Sequence, residues 1–175
     1  MTAEKFPVTR AGSNGISICR LNYLEKPWST ASVDPKEAVP RMKAELELFE
    51  PMVREYDRGA DFFAGIASGL DARRAENARR MSVLARYLAR TVETAVNLKR
   101  GALAHFAGDR IGVLDWARRE YANARATLPL VDADSRLGWE PSMEYVGGRA
   151  QIEWKLALME ETYGRKTLES ASLRR

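Results

Sequence analysis

The run VPRMKAELELFEPMVREYDRGADFFAGIASGL, residues 39–70, decides the fold. Apolar residues recur in it at Val39, Met42, Leu46, Phe49, Val53, Tyr56, Ala60, Phe63, Ala67 and Leu70, in alternating steps of three and four. An α-helix turns once every 3.6 residues, so this spacing gathers the apolar side chains into one stripe facing one partner. The start is marked upstream. Asp34 suits the cap position, Pro35 the first helical position, and Glu37 sits three residues after the cap as in a capping box. Pro51 falls inside the run, where a missing N–H predicts a kink or a break. Gly59, Gly65 and Gly69 weaken the second half by roughly 1 kcal/mol each relative to Ala.

The same reading extends in both directions. Asp71 caps a second helix whose stripe is Ala78, Met81, Ala85, Leu88, Val92, Ala95, Ala102 and Phe106, with Lys99 filling one slot. Gly108 is placed to end it in the left-handed conformation. Asp109 caps a third helix with the stripe Leu114, Ala117, Tyr121, Ala124 and Leu128, which Pro129 is expected to end. Residues 129–148 read as a loop. A fourth helix from about Arg149 carries Ile152, Leu156, Met159 and Tyr163 on one face. Gly164 and the residues after it read as a fraying end, with the tail set at 166–175. Residues 1–33 have no helical period and read as an extended arm, which Tyr23 and Trp28 could pin to the bundle. The caps at Asp34, Asp71 and Asp109 fall 37 and 38 residues apart, but the segments share only cap and stripe, so a repeat solenoid is not expected. The expected fold is all-α: an antiparallel bundle of three long helices and a shorter fourth over residues 34–165.

Composition narrows the function classes. The 175 residues are 45% hydrophobic and 30% charged, ordinary for one globular domain. No apolar run reaches the ~18 residues of a membrane span, and the first residues lack the apolar stretch of a secretory signal, so the chain as written is expected to be cytoplasmic. The single Cys19 excludes an internal disulfide framework and a Cys-type zinc site, and reads as a small core or loop residue. The net charge of +4 is uneven: residues 71–130 hold 12 basic and 6 acidic groups.

That basic excess is the first functional candidate. Arg73, Arg74, Arg79, Arg80, Arg86, Arg90 and Arg100 lie on the second helix. Such a face could meet an acidic partner or nucleic acid. No aromatic residues for base stacking are interleaved, and no nucleic-acid recognition motif is present, so pairing with Glu45, Glu47, Glu50 and Glu55 of the first helix is the expected use. The one histidine, His105, falls in the last helical turn, where the helix dipole favours a cation. A lone histidine makes neither a His-rich metal site nor a triad. No phosphate-binding glycine loop or nucleophile elbow occurs, and no cofactor is expected.

The loop after the third helix is the most individual stretch. It brings Asp132, Asp134, Arg136, Trp139, Glu140, Glu144 and Tyr145 into one short segment. An aromatic face with carboxylates and an arginine is the kind of set that holds a sugar ring, and two carboxylates are what glycoside hydrolysis requires. The competing reading is structural: Trp139 and Tyr145 plug the end of the bundle while Asp134 and Arg136 tie the backbone.

Within this loop DSRLGWEPSMEY, residues 134–145, followed by IEWK, residues 152–155, resembles the C-terminal helical region of large, mostly uncharacterised bacterial proteins similar to glycoside hydrolases. NYLEKPWS, residues 22–29, and the helices from residue 35 fit that resemblance loosely. In such proteins the helical region follows a catalytic barrel and is not the catalyst. The chain is too short for the ~250 residues of a (β/α)₈ barrel, so no catalytic residue is carried over. The resemblance implies a non-catalytic accessory or interaction domain. Its expected partners are a catalytic barrel domain or subunit and a saccharide. Nucleic acid is not expected, and self-association is left open. A small helical enzyme using Glu140 or Glu144 as acid or base ranks last, because fold alone licenses no chemistry.

Overall fold

The computed structural model describes residues 35–134, 136–137, 139–140, 145–146 and 148–170. The N-terminal arm, Asp34, Cys19 and residues 171–175 lie outside the described residues. The elements in chain order are α1 (Pro35–Ala67), α2 (Ala72–Phe106), α3 (Arg110–Ala133), β1 (Trp139–Glu140), β2 (Tyr145–Val146), α4 (Arg149–Tyr163) and α5 (Arg165–Glu169). The chain is a helical bundle.

Each helix packs chiefly on its neighbours in sequence, and cross-helix bonds fix the directions. Glu45 meets Lys99, whereas Ala60 O accepts from Ser82 Oγ, so α1 and α2 are antiparallel. Asn97 meets Glu120 while Asn123 meets Arg90, which sets α3 against α2 in the same way. Asp132 pairs with Arg149 and Tyr121 with Glu160, which reverses α4 on α3.

The joints follow the expected chemistry. Asp71 accepts from Arg74 N at 3.0 Å, and Asp109 accepts from Gly112 N at 2.8 Å. At the end of α2 the Gly108 N–H bonds His105 O and the Asp109 N–H bonds Ala104 O, with Gly108 at φ +71°. That is the paired closure that satisfies the last carbonyls of a helix, and it requires a left-handed residue.

Several expectations are corrected. No break occurs at Pro51, because α1 is one helix of 33 residues with both Pro40 and Pro51 inside it. Pro51 and Glu47 are exposed, so the carbonyl that loses its donor is free to bond water. Pro129 likewise does not end α3, which continues to Ala133 because one more turn buries Val131. The loop therefore begins at Asp134. The expected tail instead opens with α5, which seats the buried Leu168 against α3 and α4. Leu70, the last member of the first stripe, lies beyond the end of α1 and is exposed.

The apolar core forms two clusters. Met42 and Ala102 are buried with Leu103 and Phe106 packed against them, between α1 and α2. Tyr121, Ala124, Leu156, Met159 and Leu168 form the other, between α3, α4 and α5. Between these clusters α2 and α3 also meet through polar side chains, Thr94 and Asn97 with Glu120 and Asn123.

Candidate functional site

The loop after α3 is the first candidate, and its charged groups are engaged locally. Asp134 accepts from Arg136 Nη2 at 2.6 Å, from Nε at 2.8 Å and from the Arg136 backbone N–H at 3.1 Å. These bonds from Arg136 hold the Asp134 carboxyl down at about 2. Asp132 accepts from Arg149 Nε at 2.7 Å and from Nη2 at 2.5 Å, which ties the end of α3 to the first turn of α4 and lowers its pKa. The backbones of Trp139 and Glu140 pair antiparallel with Val146 and Tyr145, forming a small hairpin. Glu144 lies outside the described residues. The structure thus joins Asp134 to Arg136, and sends Asp132 to Arg149 instead of into the loop. Leu137 in this loop is buried.

The arginine face of α2 is matched by carboxylates. Arg86 reaches Asp57 and Asp61, Arg90 reaches Asp57 and Glu93, and Arg100 reaches Glu50. Arg74 pairs with Asp71, and Arg79 and Arg80 with Glu76, within α2 itself or at its cap. Of the expected acidic partners only Glu50 serves this face. Glu45 goes to Lys99 and Arg41, Glu55 pairs with Arg58 inside α1, and the exposed Glu47 stands outside these pairs. Exposed pairs of this kind contribute little stability, but they neutralise a surface that would otherwise attract phosphates. His105 is exposed at the end of α2 with its ring tilted against Phe106.

Two buried polar centres carry no sequence motif of a site. Lys99 is fully buried, donates to Glu45 Oε2 at 2.9 Å and lies 5.3 Å from the centre of the Phe49 ring. Burial pushes its ammonium down to about 7. Glu120 is buried on α3 and accepts from Thr94 Oγ1 at 2.8 Å, from Asn97 Nδ2 at 2.8 Å and from Lys155 of α4. Asn123, one turn on, donates to Arg90 O and Thr94 Oγ1. Burial raises the nearby Glu93 carboxyl, with Arg90 opposing. A spacing signal for this seam exists in the sequence: Arg90, Thr94 and Asn97, and Glu120, Asn123 and Thr127, follow the same three-and-four steps as the apolar stripes. Most partners on this seam are one another, with Lys155 and Asp57 joining from α4 and α1, and Arg90 Nε and Asn123 Oδ1 are buried there without a hydrogen-bond partner; the pattern is that of a helix-pairing code more than of a reaction site.

Among the described residues no group of three or more His, Cys, Asp or Glu side chains is arranged to hold a metal ion. No helix there is long and apolar enough to cross a membrane. The grooves between α3, α4 and α5 are shallow and lined by ion pairs such as Glu160 with Arg165 and Arg125 with Glu169.

What the structure leaves uncovered is apolar. On the side of α1 away from its core stripe, Leu48 is 70% exposed and Phe62 63%, and Met52, Ile66 and Leu70 are each more than a third exposed. Comparison with protein-family models, with curated proteins and with solved structures gives no significant match to this chain.

Proposed function

We propose that this chain is a non-catalytic helical interaction domain whose docking face is the outer side of α1. The observation that carries this reading is the contrast between polar and apolar groups. Asp132, Asp134 and Glu50, and the arginines Arg74, Arg79, Arg80, Arg86, Arg90, Arg100 and Arg136, are held in ion pairs. The large apolar side chains Leu48, Met52, Phe62 and Ile66 face solvent on one helix. Large apolar side chains exposed along one helix face mark association sites. On the basic face of α2, the basis for an acidic partner, six of the seven arginines lie in ion pairs, with Asp71, Glu76, Asp57, Asp61, Glu93 and Glu50.

The resemblance over residues 134–155 supports a narrower proposal. The domain accompanies a glycoside-hydrolase-like catalytic domain, and the hairpin end with Asp132, Asp134, Arg136, Trp139, Glu140, Glu144 and Tyr145 meets saccharide or the barrel. Sedimentation velocity of the chain mixed with a glycoside-hydrolase-like catalytic barrel domain tests this. Phe62→Glu should leave helix content intact and weaken the complex. An unchanged complex would remove α1 as the docking face. Trp139→Ala together with Arg136→Ala should reduce saccharide retention, and unchanged retention would remove the sugar contact.

A further inference from the structure

We propose that the outer stripe of α1 pairs with the same stripe of a second copy of this chain, antiparallel and centred on Gly59. This rests on the reading of α1 as a docking face and names its occupant.

The stripe runs Leu48, Met52, Glu55, Gly59, Phe62, Ile66 and, just past the helix end, Leu70. Within the helix its steps are four, three, four, three and four, the period that keeps one seam facing a partner helix. It is distinct from the stripe that packs on α2, whose members Met42, Leu46 and Ala60 are buried.

Its order is symmetric. Leu48 and Leu70 each lie eleven residues from Gly59, and Met52 and Ile66 each lie seven residues from it. Antiparallel pairing about Gly59 therefore sets Leu48 against Leu70 and Met52 against Ile66, twice over. Phe62, the largest side chain of the stripe, then falls between Gly59 and Glu55 of the other copy. Gly59 sits mid-helix with nothing within 4 Å of where its Cβ would be, so the axis of the pair is open for close approach. A surface that is its own complement about a two-fold axis is what a symmetric dimer requires.

Area agrees with this occupant. The five apolar side chains present on the order of 100 Å² each, so two copies bring together on the order of 1,000 Å², the lower bound for a specific interface. α1 is also the terminal helix of the described array, with α2 as its principal neighbour, so no described helix competes for this face.

Sedimentation equilibrium of the chain alone, with Cys19→Ser to remove the native thiol, tests pairing without any catalytic domain. A dimer is expected, with Phe62→Glu weakening it about 100-fold at unchanged helix content. Cysteine pairs read the register. Met52→Cys mixed with Ile66→Cys should give an oxidised crosslinked dimer, and Met52→Cys alone should not. A chain that stays monomeric at all concentrations overturns the proposal, as does efficient crosslinking by Met52→Cys alone. If the chain is monomeric while Phe62→Glu still weakens binding to the catalytic domain, self-pairing fails and the interaction-domain reading stands. If Phe62→Glu changes neither, both fail.

Discussion

Lys99 is fully buried in the α1–α2 interface and donates to Glu45 Oε2 at 2.9 Å. A lysine thus occupies one slot of an apolar stripe, and its stem packs where Ala95 and Ala102 pack on either side of it. Burial lowers its pKa from 10.5 to about 7. The folded chain therefore releases this proton near neutrality, and the unfolded chain keeps it to about 10.4. Between those values the unfolded state binds more protons, so stability should rise with pH, by up to about 1.4 kcal/mol per pH unit. Below pH 7 both states are protonated and this slope vanishes. Urea midpoints from pH 6 to pH 10 should show the rise in the wild type, and Lys99→Met should flatten it. Glu45→Gln should destabilise more at pH 6 than at pH 9, because only the protonated lysine needs the carboxylate.

Glu120 gathers donors from α2 and α4, so it should govern how α4 docks. Glu120→Ala leaves the buried Asn97 and the half-buried Thr94 without their acceptor and should cost about 3–5 kcal/mol in chemical denaturation. Glu120→Gln keeps an acceptor oxygen, and Lys155 is exposed enough to reach water, so a loss of about 1–2 kcal/mol is expected. Equal losses for the two variants would show that the site is felt through packing alone.

Two glycines should respond in opposite directions. Gly65 is exposed inside α1, with open space around the position of a Cβ. Gly65→Ala should stabilise by about 0.5–1 kcal/mol and raise Tm by about 2–4 °C. Gly108 sits at φ +71°, so Gly108→Ala should destabilise by about 1–2 kcal/mol despite equally open space. Calorimetry of the two variants separates backbone conformation from room as the cause.

Arg118 holds α5 in place. Its Nε donates to Thr167 O at 2.8 Å and its Nη2 to Ser170 Oγ at 2.9 Å, while Nη1 meets Asp115 at 2.9 Å. Arg118→Ala should speed amide exchange around Leu168 at least ~10-fold while leaving α1 and α2 protected. Arg118→Lys should not restore protection, because an ammonium cannot reproduce the three directions of the guanidinium fork. Unchanged exchange would mean that Leu168 alone seats α5.

Local chemistry accounts for what the sequence determined by itself. The caps at Asp71 and Asp109, the left-handed Gly108, the start of α4 at Arg149 and the core stripes, apart from the exposed Leu70 and Met81, depend on residues within a few turns of one another, and each is legible from spacing. The structural alternative for Asp134 and Arg136 is legible for the same reason, since the two residues that bond are two apart in the chain. Proline misleads because its cost depends on where the lost hydrogen bond faces, and at Pro51 and Pro129 the ring lies at the surface. Tertiary structure decided the rest. An inner helix of a bundle has two neighbours, and an apolar stripe names only one. The second faces of α2 and α3 pair through Arg90, Thr94, Asn97, Glu120 and Asn123, whose three-and-four spacing looks like any solvated face until the donors of one helix meet the acceptors of the next. The outer stripe of α1 is the converse case. Leu48, Met52, Phe62 and Ile66 fall outside the core stripe in the sequence, and only packing shows them exposed, because burial belongs to the assembled helices and not to the residues that compose them.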